Sequence, residues 1–238
     1  MCTNEKKWAF REITPNIFLL SFDSYYDLAM HFVRAQEFYE SNNIKLRNTH
    51  FTLVDFMEWY AKTNDGTFSY PDDWAGFNVP GWVFKKVLNK KAIKDWNKYD
   101  EFMFKVTKQL QKRVPNNNPC GFYLIGASTE DSKTVDHEIA HGLYYTNSAF
   151  KSEMQVLTES FQKQFDSFTV YLRKIGYDES VLKDEFQAYF STGLGYDGKK
   201  FLKKKKVPYK KATKKFKKVF KKWKSDLVNI RDISVDID

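Results

Sequence analysis

Between Lys199 and Lys224 the chain carries 15 lysines and no acidic residue. A stretch this charged can pack against a protein only if it hides an apolar side, and this one has such a side. Tyr209, Ala212, Phe216, Val219, Phe220, Trp223, Leu227 and Ile230 recur at spacings of three and four, with lysines between them. The pattern predicts an amphipathic cationic helix, opened by Pro208, since proline suits a first turn. Outside the segment 24 basic residues stand against 30 acidic ones, so the formal net charge of +9 belongs to an acidic body with one basic arm. Electrostatic arguments about partners therefore attach to Lys199–Lys224. Besides a plain docked helix with solvated lysines, the segment suits nucleic-acid backbone, an anionic membrane surface or an acidic protein substrate. No base-reading motif, GxxxxGK[ST] loop or GxGxxG loop accompanies it.

The body has the means to fold. Of 238 residues 42% are hydrophobic and 18% aromatic, which excludes global disorder. No run of 18 apolar residues exists, so no spanning helix is expected. The first residues lack the apolar core of a secretory leader. Cys2 and Cys120 cannot form a disulfide framework, so free thiols in a cytoplasmic or otherwise intracellular setting are expected.

Periodicity gives a coarse map. Residues 1–20 read as irregular apart from a short strand at Ile17–Leu20. Ser24–Tyr39 is helical, as is Thr52–Tyr60 with Thr52 as its cap. The stretch from Asp65 to Gly81 is loop-like with one strand at Thr67–Tyr70, and Trp82–Lys112 is helical in two pieces. Asn116–Pro119 is a turn, and Cys120–Ala127 is the strongest strand signal. Helices follow at Ser132–Tyr145, at Ala149–Ile175 as one long element, and from Asp178 to about Ser191. Gly193, Gly195 and Gly198 suggest a loop.

One motif carries chemistry. Asp136-His137-Glu138-Ile139-Ala140-His141-Gly142 contains HExxH, which composition alone would produce about 0.003 times in a chain like this. Histidines at i and i+4 project from one helix face, so both imidazoles reach one Zn²⁺, and the intervening glutamate is placed to hold a water and take its proton. On a helical wheel Val135, Ile139 and Leu143 form an apolar face, with His137, His141, Glu138 and Tyr145 opposite.

A catalytic zinc needs a third protein ligand and an open position. The two remaining histidines, His31 and His50, lie far upstream. Downstream, Glu185 falls inside the apolar stripe Val181, Leu182, Phe186, Ala188, Tyr189 and Phe190, while Asp184 and Gln187 point the other way. A carboxylate on a buried face costs several kcal/mol unless it is paired or binds a metal, which singles out Glu185. Glu153 is the second candidate, near the stripe of its own helix.

A strand, an HExxH helix, a connecting helix and a helix offering glutamate together resemble the gluzincin branch of zinc metallopeptidases. The resemblance covers about residues 120–191 and rests on His137-Glu138-x-x-His141 and Glu185-x-x-Ala188-Tyr189. It implies an α+β, mostly helical, zincin-like fold with a small sheet. It also implies Zn²⁺ held by His137, His141 and Glu185, with Glu138 as base. The gap from His141 to Glu185 is longer than in compact members, and the third histidine of the metzincin signature is absent. An oxyanion also needs a donor; Tyr144, Tyr145 and Tyr189 lie near the motifs, and Tyr189 shares a helix face with Glu185.

These readings divide the chain into a helical N-terminal region, 1–115, suited to substrate binding, a zincin-like catalytic core, 116–198, and a Lys-rich C-terminal helix packing on it, 199–238. The expected function is zinc-dependent hydrolysis of peptide bonds in a protein or peptide, for which an acidic substrate suits the lysines. The alternative is a non-catalytic nucleic-acid- or anionic-membrane-binding protein that works through the basic helix.

Overall fold

The computed structural model describes residues 8–41, 43–114, 121–128 and 132–234. Cys2, Cys120 and the expected turn at Asn116–Pro119 lie outside them. The protein is α+β and mostly helical, with a small five-stranded mixed sheet. It forms two compact units, residues 1–135 with 230–238, and residues 136–229.

The first unit holds the sheet. β1 (Trp8–Thr14) and β2 (Ile17–Phe22) form an antiparallel hairpin. The sequence reading treats the first of these as irregular. Pro15-Asn16 turns the chain, with Asn16 at φ 72°, the positive value that the third position of a type II turn requires. β3 (Gly76–Pro80) and β4 (Tyr123–Ser128) follow, then the short β5 (Arg231–Asp232), in the order β3-β4-β2-β1-β5, with only β2 and β4 parallel. Every residue of β2 and β4 is buried, as expected of central strands covered on both faces. The expected strand at Thr67–Tyr70 is not formed: Tyr70 begins the single-turn helix α3 (Tyr70–Asp73). Phe68 and Tyr70 are instead part of a ring cluster with Phe56 and Tyr60.

Around the sheet run α1 (Tyr25–Glu40), α2 (Leu53–Thr63), α4 (Gly81–Val87) and α5 (Lys98–Arg113). Ser24 and Thr52 cap the first two by accepting from the backbone N–H groups of Asp27 and Asp55. α1 lies close on β4: a Cβ at Gly126 would come 2.5 Å from the Phe32 ring. The buried Arg34 guanidinium joins α1 to the start of α5, donating to Asp100 at 2.7 Å and Asp95 at 2.8 Å. A buried arginine is tolerable only with such partners.

The second unit is all helix: most of α6 (Ser132–Thr146), then α7 (Ser148–Ser160), α8 (Gln162–Lys174), α9 (Leu182–Thr192), α10 (Gly195–Lys204) and α11 (Lys210–Leu227). The single long helix expected over Ala149–Ile175 is broken at Phe161 (φ −124°, ψ 37°). The break lets α7 and α8 each pack on α9. The glycine-marked loop is reduced to Gly193 and Leu194. Gly198 sits inside α10, where a Cβ would crowd the Phe168 ring at 3.1 Å. α9 is held between α7, α8 and α11. The lysine-rich helix α11 buries Ala212, Phe216 and Phe220, with the Phe216 ring against Phe161, Phe186 and Phe190.

Candidate metal centre

α6 and α9 bring His137, His141 and Glu185 together. One ligand atom from each lies within 4.8 Å of the others. The two Nε2 atoms are 3.2 Å apart. Glu185 Oε1 is 3.5 Å from His141 Nε2, and Oε2 is 3.8 Å from His137 Nε2. The i, i+4 spacing aligns the imidazoles on α6, and Gln187 ties the helices together by donating to the Ala140 carbonyl at 3.2 Å.

Each imidazole is oriented from its far side. Thr192 Oγ1 gives its own proton to the Ala188 carbonyl at 2.8 Å, so it accepts from His137 Nδ1 at 3.1 Å. Asp184 Oδ1 accepts from His141 Nδ1 at 3.0 Å and from Gln187 Nε2 at 2.8 Å. With both Nδ1 atoms engaged on their far sides, the two Nε2 atoms face each other and a carboxylate. A carboxylate and two imidazole nitrogens this close call for positive charge among them, whether a proton or a metal ion.

The electrostatics favour positive charge at this point. Burial works against charge on His141, but Asp184, Glu185 and Glu138 outweigh it and hold its pKa well above the usual value. For Glu185, burial raises the pKa, yet His141 and His137 prevail and lower it. Among the described residues Glu185 Oε2 is buried with no partner at hydrogen-bond distance, His137 Nε2 standing 3.8 Å away. These donors fit zinc. Zn–N bonds of about 2.1 Å in a tetrahedron separate two nitrogens by about 3.4 Å, close to the observed 3.2, 3.5 and 3.8 Å. Three protein ligands leave one position open, and the Nδ1 partners are of the kind that orients metal-bound histidines.

Glu138 is buried next to His137, at 6% exposure. The Tyr189 ring meets His137 edge-on with centroids 4.9 Å apart, and its hydroxyl is 3.5 Å from that of Tyr177. Burial, with Glu185 nearby, pushes Tyr189 up to about 12, and the same causes push Tyr177 well above its usual value, so both keep their protons. Tyr144 is instead buried beside Gln155 and, with Asp184, lines a cavity of 440 Å³ that none of the three cluster residues borders. Glu153 is not in the cluster: its Oε2 accepts from Trp223 Nε1 at 2.6 Å.

Sequence reasoning missed Asp184, Thr192, Gln187 and Tyr177. Thr192 was within reach, since it follows Glu185 by two helical turns and shares its face. Asp184 and Gln187 were expected to point away from the packed face. They do, but α9 is covered on that side too, and Gln187 is fully buried. No protein-family model, curated protein or solved structure matches the chain. Among the described residues no helix is long and apolar enough to cross a membrane.

Proposed function

We propose that the protein is a zinc-dependent, gluzincin-like metallopeptidase that hydrolyses peptide bonds, with His137, His141 and Glu185 as ligands. The observation that carries this reading is the convergence of two histidine Nε2 atoms on the buried carboxylate of Glu185. A zinc ion in that place supplies Lewis-acid polarisation of a substrate carbonyl and of a water. The protein's own groups do the rest. Glu138, shielded from solvent and adjacent to His137, takes a proton from the attacking water and returns it to the leaving amine. Tyr189, which stays protonated, donates toward the developing oxyanion with Tyr177 behind it. Asp184 and Thr192 keep both imidazoles in the tautomer that presents Nε2.

The test has two arms. Elemental analysis of purified protein supplied with zinc is expected to find about one Zn²⁺ per chain, mostly lost in His141→Ala. Mass spectrometry of a peptide library then reads new termini. Glu138→Gln is expected to retain the metal and lose about 10²-fold or more in hydrolysis. A chain that takes up no zinc, or a Glu138→Gln variant with undiminished turnover, refutes the reading.

A further inference from the structure

The second unit carries the whole excess charge. It holds 20 basic residues against 11 acidic ones, whereas the first unit has 19 of each. The surplus is concentrated on α10 and α11, and little of it is neutralised. Among the described residues, the only lysine of Lys199–Lys224 with a carboxylate within ion-pair distance is Lys224, which meets Asp136. Lys210, Lys211, Lys214, Lys215, Lys217, Lys218, Lys221 and Lys222 are all exposed along α11.

Their arrangement is specific. With a helix turning about 100° per residue, the buried Ala212, Phe216 and Phe220 mark the inner side of α11. Lys211, Lys214, Lys218 and Lys221 point outward, within about 40° of the opposite direction. Lys215 and Lys222 flank them on one side, and Lys210 and Lys217 on the other. The eight lysines cover an arc of about 160° on a convex rod about 27 Å long.

From this we infer that α11 is a docking surface for duplex DNA, gripping the phosphates on both walls of the major groove. A flat anionic surface meets the outward lysines and leaves the flanks idle. A groove about 12 Å wide admits a helix and sets phosphates against both flanks. Insertion into a membrane would need the apolar side of α11, which is already packed on α7 and α9. An acidic protein is better held by arginine forks, and α11 contains no arginine. It also contains no asparagine or glutamine, so its contacts are to the backbone and independent of sequence. The deep, narrow major groove of duplex RNA does not admit the rod. This reading is independent of the metal centre.

The experiment measures binding of the full chain to a fluorescent 24-base-pair DNA of random sequence, with 24-base-pair RNA and phosphatidylserine-containing vesicles in parallel. The expected result is salt-dependent binding to the DNA, with log K falling against log salt at a slope of −4 or steeper, since each neutralised phosphate contributes about −0.9. Duplex RNA and vesicles are expected to bind at least tenfold more weakly. Two quadruple variants separate groove from plane: the outward set (Lys211, Lys214, Lys218 and Lys221→Gln) and the flank set (Lys210, Lys215, Lys217 and Lys222→Gln). Both are expected to keep the wild-type circular dichroism spectrum, and each should flatten the slope by 2 or more units. The inference is overturned by no binding to the DNA at low salt, by RNA or vesicles binding as tightly, or by a flank variant that binds like wild type.

Discussion

Asp184 Oδ1 stands 3.0 Å from His141 Nδ1, while the other nitrogen of the same ring faces Glu185 Oε1 at 3.5 Å. Two adjacent carboxylates of α9 thus hold one imidazole from opposite ends, one orienting it and one sharing its ligand side. A partner on the far nitrogen of a metal-bound histidine typically accounts for 10–100-fold in affinity or activity. Asp184→Ala is therefore expected to weaken zinc binding about 10–100-fold without removing the site, as read by competition with a chromogenic chelator. Unchanged affinity in that variant would remove Asp184 from the centre.

Glu185 and Glu153 together test the proposed ligand set, since only Glu185 lies in the cluster. Glu185→Ala is expected to release nearly all the metal on dialysis. Glu153→Ala is expected to retain it and to lower unfolding stability by about 1–3 kcal/mol, because the Trp223 indole N–H loses its acceptor. Elemental analysis and urea melts on the two variants check both halves. Metal loss in Glu153→Ala with retention in Glu185→Ala would reverse the assignment.

Phe216 tests how α11 is held. It is fully buried and its ring meets Phe161, Phe186 and Phe190. Phe216→Ala leaves a cavity at that junction, with an expected loss of about 3–5 kcal/mol. Lys218→Gln, exposed on the same helix, is expected to change stability by no more than about 0.5 kcal/mol. Equal melts for the two variants would mean that α11 is not packed through its aromatic side.

The legible parts were those fixed by local period. An i, i+4 histidine pair shares a face on any helix, and Glu185 stood out because the stripe around it is apolar. The lysine helix was readable for the same reason. What stayed hidden depends on neighbours. A wheel gives the direction of Asp184 but not that α9 is covered on that side as well, so an apparently idle carboxylate proved to be the partner of His141. The break at Phe161 interrupts no period, since Met154, Phe165 and Phe168 keep their spacing across it. β1 has weak alternation of its own and is defined by pairing with β2 and β5. Phe68 and Tyr70 alternate like a strand, but Pro71 and the ring cluster with Phe56 and Tyr60 favour the turn of α3.

His31 gives the first unit a pH dependence. Its ring stacks on Phe22 with centroids 4.4 Å apart, meets Phe102 at 4.6 Å, and its Nδ1 donates to the Asp27 carbonyl at 2.6 Å. Burial among these rings lowers its pKa from 6.5 to about 4, against the smaller opposing pull of Asp27. The folded state therefore binds this proton less readily than the unfolded chain does. The stability His31 contributes is complete above pH 6.5 and is lost as pH falls from there toward about 4, below which both states are protonated and the change stops. At pH 5 the expected loss is about 2 kcal/mol relative to pH 8. His31→Phe keeps a ring in the stack and removes the titration. Urea melts at pH 8 and pH 5 are thus expected to show wild type losing about 2 kcal/mol more than the variant. If both lose the same amount, His31 is not the group that titrates.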